Sequence, residues 1–331
     1  MTLPTAPASP LDQVFTRFAF HKIGGSDYRD QKYFRRPMLR LLDEKSLPGS
    51  GGGPNIVHPI DLGTSFNGTS LSRNQEFSIS GDSAETWSRY TWSTVIETCF
   101  VSWWDIREAD GNAFKMENIL NSRINQTGEN LEDNLATQLS QSSAASSDDI
   151  NPILSIVAST GATGNLNPST SGQGDWAART TATVNWTVEG VGRARTLISE
   201  VEDRKGTTDV ILAPNQFHNE TLEIGDAALV INDDARTRGG TKIANLGLKV
   251  PFILNTPVIR DTAWNTAQTS TVVGMDLSGI HLVCDPKWDM YMYPFKEMAH
   301  HGRLGQASVQ VKVAQLTCSS RRTQFSMTSV S

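Results

Sequence analysis

Hydrophobic residues recur at helical spacing between Phe114 and Leu139. Five of them fall within a sector of roughly 100° when each residue turns the helix by about 100°; they are Leu120, Ile124, Leu131, Leu135 and Leu139. The other faces carry mostly asparagine and glutamine. The pattern predicts a helix of about 25 residues, roughly 40 Å long, with one narrow apolar stripe. We therefore expect it to lie along one edge of a sheet, and to bend at Gly128 because glycine weakens a helix.

Strand patterns lie on both sides of this helix. Residues 91–106 are rich in β-branched and aromatic side chains, which predicts a long strand. It would form the second half of a hairpin over residues 56–106, with a turn at 80–83. A shorter strand is expected around Phe325 and Met327. A longer C-terminal strand, half-buried, is predicted by the alternation of Ala307, Val309, Val311 and Val313 with Ser308, Gln310 and Lys312.

The middle of the chain alternates between helices and short strands. Thr187–Lys205 predicts a second amphipathic helix that ends at Gly206. Residues 209–213 predict a short buried strand, and Pro214 then stands at the first position of another helix. The apolar side of the second helix would consist of Val188, Val191, Leu197, Ile198 and Val201. Further short strands are predicted at 229–231, 249–254, 271–275 and 280–284.

The first 55 residues differ from the rest in composition. Prolines open this stretch, seven basic residues face only two aspartates between Arg17 and Arg40, and the segment 48–54 is a flexible Gly- and Pro-rich linker. One interpretation is a solvated tail with one short helix. The other is an arm that docks on a neighbouring subunit or an acidic partner.

Composition and charge exclude several classes of protein. The chain has 331 residues, a net charge of −6 and a pI of about 5.6, so it is not an electrostatic binder of nucleic acid. Its three separated cysteines argue for a reducing compartment and against a disulfide framework or a zinc site. The sequence has no transmembrane run and no signal-peptide pattern. We expect a protein made and used in the cytoplasm, or in something assembled there.

Catalytic motifs are missing from the sequence, which has no phosphate-binding loop, dinucleotide fingerprint or nucleophile elbow. Glu297 and His300, with His301 beside them, have helical metal-site spacing, but one such pair is too few for a di-metal site. His281 lies in an apolar strand and is expected to be a hydrogen-bonded core histidine. Residues 239–242, which follow Arg236 and Arg238, could suggest phosphate binding, but we expect them to form a mobile loop. A set of aromatic residues could stack on a sugar or a base, but we expect it to pack at the hairpin base; it consists of Trp87, Tyr90, Trp92, Trp103 and Trp104. We predict no catalytic, cofactor or metal site.

The order of these elements resembles the major capsid proteins of tailed bacteriophages, whose α+β fold is called the HK97 fold. The resemblance covers nearly the whole chain but rests on pattern and order, since no short motif is diagnostic. It implies an N-terminal arm, an extended E-loop hairpin, a P-domain with a long spine helix, and an A-domain with a mixed sheet and flanking helices. The corresponding ranges are 1–54 for the arm, 55–92 for the E-loop, 93–155 for the P-domain with its spine helix at about 111–140, 156–288 for the A-domain, and 289–331 for the return to the P-domain and the C-terminal strands.

By this resemblance the protein would assemble with itself into pentamers and hexamers of an icosahedral head around double-stranded DNA. It would not bind that DNA sequence-specifically, would not contact a membrane, and would be a virion component assembled in the host bacterial cytoplasm. A portal protein, a decoration protein and, because Met1 lies close to the hairpin, a separate scaffolding protein would be its partners. Residues 55–92 contain no lysine, so a lysine–asparagine cross-link is not expected. Two alternatives stay open: an encapsulin-like compartment shell, and a β-rich carbohydrate-binding or enzymatic protein.

Overall fold

The computed structural model describes residues 36–44, 46–48, 53–62, 85–108, 113–225, 251–298 and 304–330. Several predictions lie outside these residues: residues 1–35 of the arm, the hairpin turn at 80–83, the strand at 229–231, the segment 239–242, and His300 and His301. The described residues form a mixed α+β fold, as predicted. Among them, no helix is both long and apolar enough to cross a membrane.

The helices and strands follow one another in this order: α1 (Pro37–Glu44), β1 (Leu47–Pro48), β2 (Asn55–Asp61), β3 (Glu85–Thr91), β4 (Ser93–Ser102), α2 (Trp103–Glu108), α3 (Ala113–Ser140), α4 (Ile153–Ile156), a 3₁₀ turn (Gly174–Trp176), β5 (Arg179–Asn185), a π turn (Trp186–Gly190), α5 (Val191–Asp203), β6 (Val210–Leu212), α6 (Asn215–Gly225), β7 (Phe252–Ile253), β8 (Thr256–Ile259), α7 (Thr262–Ala267), β9 (Thr271–Met275), β10 (Ile280–Cys284), β11 (Tyr291–Met292), β12 (Lys296–Glu297), β13 (Gly305–Cys318), a 3₁₀ turn (Arg321–Thr323) and β14 (Phe325–Val330).

The first sheet is organised around the long C-terminal strand β13. This strand pairs antiparallel with β4 along residues 305–314 and with β10 along residues 314–318, and it also pairs with β11 and β12. Strand β1 adds to β10 in parallel. Since β13 carries neighbours on both of its edges, it is the central strand of this sheet rather than a terminal addition.

Strand β4 ends earlier than predicted, because a helix begins at Trp103. The backbone N–H and hydroxyl of Ser102 donate to Asp105 Oδ2 at 3.2 and 2.9 Å, and the N–H of Asp105 donates to Ser102 Oγ at 3.2 Å. This reciprocal arrangement is a capping box, with an aspartate in place of the usual glutamate. It fixes the start of α2, so the prediction of a strand up to residue 106 is wrong by four residues.

The predicted long helix is confirmed as α3, which has 28 residues. All five residues of its predicted apolar stripe are buried, together with Met116. The helix packs along β4 and β13, and its C-terminal half contacts α7. It therefore lies against one side of the first sheet, as its narrow stripe indicates. The bend at Gly128 stays a prediction.

The second sheet has the order β5-β14-β9-β6-β8-β7 and is covered on both faces. Val210 and Leu212 of β6 point into the main core, which also contains side chains of α1, α3 and the first sheet. Ile211 and Ala213 point into a second core closed by α5 and α6. Burial on both faces explains the continuous apolar run that predicted this strand. The predicted helix after Pro214 and the strands 271–275 and 280–284 are also confirmed.

The second predicted helix begins differently from the expectation. A π turn at Trp186–Gly190 precedes α5, and it leaves Val188 exposed instead of on the apolar side. Leu197, Ile198 and Val201 are buried as predicted. The left-handed residue after the helix is Lys205, with φ of 64°, and not Gly206. Gly206 is needed for space instead, because a Cβ there would lie 2.6 Å from the Thr323 side chain.

Part of the predicted N-terminal arm belongs to the body of the protein. Helix α1 buries Met38, Leu39, Leu41 and Leu42 in the main core, and β1 extends the first sheet. The backbone N–H of Met38 also bonds Asp261, at 3.4 Å. The short helix of the first interpretation is present, but a solvated tail and an arm docked on another subunit are both wrong for residues 37–44 and 46–48, because these residues pack against the sheet.

The two sheets do not divide at the predicted domain boundary. Strand β10, placed before the boundary at residue 288, belongs to the first sheet with β4 and β13. Strand β14, predicted to return with the C-terminus mainly to the first region, lies in the second sheet between β5 and β9. Each is inserted by long-range pairing, which local patterns do not reveal.

Candidate interaction surfaces

The base of the hairpin is a separate two-stranded sheet with two different faces. Residues 55–61 of β2 pair antiparallel with residues 85–91 of β3, in a register that places Pro59 opposite Trp87 and Val57 opposite Arg89. Residues directly opposite in such a pair share one face. Trp87 is 52% exposed and Val57 is 43% exposed. We call this outward-pointing set, which also includes Pro59, the outer hairpin face.

The opposite face of the hairpin base is fixed to the body. Tyr90 is buried, and its hydroxyl donates to the Cys318 carbonyl at 3.2 Å while it accepts from the Cys318 N–H at 3.2 Å. The Ser88 hydroxyl donates to the same carbonyl at 3.4 Å. The backbone N–H of Arg89 donates to the Gly164 carbonyl at 2.9 Å. These contacts hold the base firmly, so the outer hairpin face is presented in a defined orientation.

Gly164 sits directly under this base and offers a test of the docking. It has a φ of 62°, and an added Cβ would lie 2.8 Å from both Ser88 Cβ and the Tyr90 ring. We expect Gly164→Ala to lower the free energy of unfolding by about 1–3 kcal/mol more than the backbone cost alone. The matched control is Gly161→Ala, since Gly161 has a φ of 83° but no atom within 4 Å of the added Cβ. Equal losses in urea denaturation of the two variants would contradict the predicted clash.

The first sheet has one covered face, toward which the polar side chains of β13 point, and one face on which large apolar side chains are partly exposed. Ile96, Val311 and Tyr291 lie directly opposite one another on neighbouring strands, so they share a face. Ile96 is 57% exposed, and the rings of Trp288, Tyr291 and Tyr293 cluster there with centroids 5.1 to 5.8 Å apart. We call this the open sheet face. The prediction of a half-buried β13 is wrong, because Ser308, Gln310 and Lys312 on its polar side are buried as well.

Helix α1 supplies the physical reason for the buried lysine. Lys312 Nζ lies 3.7 Å from Asp43 of α1 and 3.3 Å from Asp289. Burial alone would lower the pKa of Lys312, but the two carboxylates hold that pKa above its usual value. The lysine therefore stays charged and paired beneath α1. On the other face of the sheet, Ile96 of β4 and Tyr291 of β11 stay exposed on either side of β13.

A third exposed apolar surface lies on α2. Trp104 is 66% exposed, and its ring meets that of Trp103 edge to face with centroids 5.2 Å apart. The guanidinium of Arg107 lies within 6 Å of both rings. Leu304 is exposed beside Trp103, whose N–H donates to the Leu304 carbonyl. The prediction that all five aromatic residues pack at the hairpin base is therefore wrong for Trp103 and Trp104, and also for Trp87, which is exposed on the outer hairpin face.

Strand β4 also presents an unpaired edge. Trp103 N donates to Leu304 O at 3.1 Å, which continues the hydrogen-bond ladder between β4 and β13. Because alternate residues of a strand direct their backbone groups to opposite edges, the edge of β4 away from β13 presents the N–H and C=O groups of Thr94, Ile96, Thr98 and Phe100. In the described part of the chain, no second strand pairs with β4. A groove between this edge and α3 is lined by Thr98, Phe100, Arg123, Gln126 and Asn130, among others. Such an edge is a ready site for pairing with another chain.

The residues considered for chemistry are not brought together. Glu297 is exposed in β12, whereas its proposed neighbours lie outside the described residues. His281 is half-buried in β10 and faces His58 of the hairpin, with ring centroids 6.1 Å apart. Among the described residues there is no group of three or more His, Cys, Asp or Glu side chains that could hold a metal. Cys99, Cys284 and Cys318 are free and buried.

Comparison with solved structures shows what this fold resembles. No protein-family model and no curated protein matches the sequence. The capsid asymmetric unit of cyanophage A-1(L) matches with a TM-score of 0.63 and 12% identity, over 89% of this chain and 92% of that one. The capsid structure of cyanophage P-SCSP1u matches with a TM-score of 0.52 and 11% identity, over 86% of each chain. A structure from Mycobacterium phage Adephagia matches with a TM-score of 0.52 and 13% identity, over 88% of this chain and 90% of that one.

These likenesses extend over most of the chain, so the chain has the fold of phage capsid proteins, as the resemblance in sequence pattern predicts. They favour neither the encapsulin-like container nor the β-rich carbohydrate-binding or enzymatic alternative. The predicted hairpin is confirmed at its base, where β2 pairs with β3, whereas the sequence did not predict the open sheet face. The alternation in β13 showed that the strand has two unlike faces, yet not which of them is covered.

Proposed function

We propose that this chain is the major capsid protein of a tailed double-stranded DNA bacteriophage, and that identical copies close into its icosahedral head. The observation that carries the proposal is a capsid fold whose hairpin base turns Trp87 and Val57 away from its own body. Large apolar side chains on rigid, outward-facing elements are typical of protein–protein contacts. The role is structural and involves no catalysis.

In this proposal the elements take the positions of the HK97 fold. The hairpin of β2 and β3 is the E-loop, α3 is the spine helix of the P-domain, and the second sheet with α5 and α6 forms the A-domain. Residues 1–35 act as the N-terminal arm, and the next residue, Arg36, is ion-paired with Asp133 of α3. The arm and the E-loop reach neighbouring subunits, while A-domains meet around the axes of pentamers and hexamers.

The shell is stabilised by many modest contacts per subunit. The outer hairpin face, the open sheet face, the α2 surface and the free edge of β4 are four separate regions of one chain. Contacts between unlike surfaces generate rings when their rotation closes. Several such contacts per copy raise the stability of the assembly far above that of any single one. The net charge of −6 suits a container that does not hold its DNA tightly.

Partners and location follow from the same proposal. The protein would assemble in the host bacterial cytoplasm on a separate scaffolding protein, join a portal protein at one vertex, and end as a virion component, with a decoration protein as a further possible partner. It binds no cofactor and no metal in this role.

Electron microscopy of the purified protein tests the function directly. We expect closed shells of uniform size, either spontaneously or when the phage scaffolding protein is present, and DNA inside the particles isolated from infected cells. Sedimentation would give a large discrete species together with free subunits. A stable monomer at high concentration, in the presence of the scaffolding protein, would contradict the proposal. Shells filled with a specific enzyme would identify a compartment instead of a virus head.

A further inference from the structure

Two histidines meet where the hairpin base touches the body. His58 lies on β2, on the face that is turned inward, and its Nε2 is 3.0 Å from Thr317 Oγ1 of β13. The Thr317 hydroxyl donates to the His281 carbonyl at 3.1 Å, so its hydrogen is already committed. His58 Nε2–H must therefore be the donor in the contact with Thr317. Any added proton on His58 goes to Nδ1, and it creates a full positive charge at the junction.

The second imidazole comes from the body and lies close to the first. The His281 ring centroid is 6.1 Å from that of His58, and the Tyr90 ring of β3 is 6.2 Å from His58 on another side. At this separation two positive charges repel, and the partly buried site screens them less than bulk water would. The two histidines belong to different elements, the hairpin and β10. Their repulsion would therefore act directly on hairpin docking.

The groups around the two histidines supply little negative charge to balance their protonation. Tyr90 and Cys318 are uncharged near neutral pH, because burial raises the pKa of both, that of Cys318 to about 12. Arg321 is cationic and interacts with Tyr90 and Cys318. Asp276, in the turn before β10, is the carboxylate that acts on His281, and it favours the charged form of that ring. One proton on His281 is thus tolerated, whereas a second proton on His58 is opposed by burial and by His281 itself.

Both imidazoles are held neutral in the docked state. Burial, assisted by the neighbouring His281, lowers the pKa of His58, and burial lowers the pKa of His281 despite Asp276. When the hairpin leaves the body, each pKa returns toward its ordinary value of about 6.5. The undocked state therefore takes up protons first as the pH falls below that value, which favours undocking. The free energy of docking that the two neutral histidines contribute is fully lost once the pH has passed below the lowered pKa values.

We propose that His58 and His281 form a pH-sensitive contact that keeps the base of the hairpin docked at neutral pH and releases it on mild acidification. The controlled element is the two-stranded sheet of β2 and β3, which is attached to the body through the hydrogen bonds of Ser88 and Tyr90 and through the burial of Ile60 and Tyr90. Release would free the outer hairpin face from its fixed orientation. The inference concerns the fold of the single chain and does not depend on shell assembly.

Hydrogen exchange of the full chain, measured by mass spectrometry at pH 7.5 and pH 5.0, tests this contact. After correction for the intrinsic pH dependence of exchange, we expect opening of residues 55–61 and 85–91 to increase at the lower pH. The increase should be about tenfold for each unit by which docking lowers the pKa of either histidine within this pH range. Residues 271–275 of the second sheet should keep their protection at both pH values. His58→Gln and His281→Gln should each reduce the pH dependence.

Tyr90→Phe is the matched control, because it removes the hydroxyl bonds to Cys318 without changing an imidazole. It should loosen the hairpin base about equally at both pH values and leave the pH dependence of opening intact. Unchanged opening of the wild-type hairpin between pH 7.5 and 5.0 would overturn the proposal, and so would a full pH response in both histidine variants. If a glutamine variant does not fold, NMR titration of the wild-type histidines is the deciding measurement. Ordinary pKa values for both rings would also overturn the proposal.

Discussion

A variant in which residues 63–84 are replaced by a Gly-Asn-Gly turn is expected to fold normally but to form no closed particles. The replacement starts beyond the last registered pair of the hairpin base, Asp61 opposite Glu85, so a short turn can connect the two strands. Ile60, Leu62 and Tyr90, which the hairpin buries in the body, are all retained. The subunit therefore keeps its core and loses the segment that we propose to reach a neighbour.

Two measurements separate folding from assembly in this variant. Its thermal midpoint and circular dichroism should stay close to those of wild-type subunits, whereas sedimentation and electron microscopy should show subunits or small oligomers without shells. A milder variant, Trp87→Ala, removes one large side chain from the outer hairpin face and should weaken assembly without abolishing folding, because Trp87 is half exposed. Shells of normal yield and stability from the loop replacement would contradict the role of the hairpin.

Arg321→Met is expected to destabilise the subunit by about 3–5 kcal/mol, enough to abolish folding in many domains. The Arg321 side chain is fully buried and donates only to backbone carbonyls. Its Nε bonds Ile156 O at 2.8 Å, Nη1 bonds Gly161 O at 2.8 Å, and Nη2 bonds Ser155 O and Thr160 O at 3.1 and 2.9 Å. Methionine fills a similar volume but leaves four carbonyls without these donors.

The neighbouring residue provides the matched control for this prediction. Arg322 is exposed, so Arg322→Met should change the free energy of unfolding by no more than about 0.5 kcal/mol. Arg321→Lys keeps the charge but cannot reproduce the guanidinium fork, and it should behave much more like the methionine variant than like wild type. Urea denaturation of the three variants measures the differences. Similar stability of the Arg321→Met and Arg322→Met proteins would show that the four bonds contribute little.

Local patterns predicted the elements whose burial follows their own periodicity. The stripe of α3 has the helical repeat, and each of its five residues is buried. Strand β6 and the helix after Pro214 were predicted because a continuous apolar run and a proline at a helix start have direct local causes. The start of α2 had a local signal too, since Ser102 and Asp105 have the spacing of a capping box. That signal was outweighed by the β-branched and aromatic composition of residues 91–106.

Long-range contacts decided the features that sequence patterns missed. Residues 37–48 look like the end of a polar arm, but α1 packs on the first sheet and places Asp43 near Lys312. The polar side of β13 would ordinarily face solvent, yet that ion pair and the cover of α1 and α3 make its burial possible. The burial of Arg321 could not be predicted from local patterns either, because the four carbonyls to which it donates lie about 160 residues earlier in the chain.

The sequence by itself determined the long helix, the presence of a hairpin, the buried strands β6 and β9 and, through the order of elements, the resemblance to a capsid fold. These depend on spacing between near neighbours, which a single chain displays directly. Only the tertiary structure decided which face of β13 is covered, which strands join each sheet, and that His58 meets His281. Those outcomes depend on which distant segments come to share a surface, and the spacing of residues along the chain does not specify that.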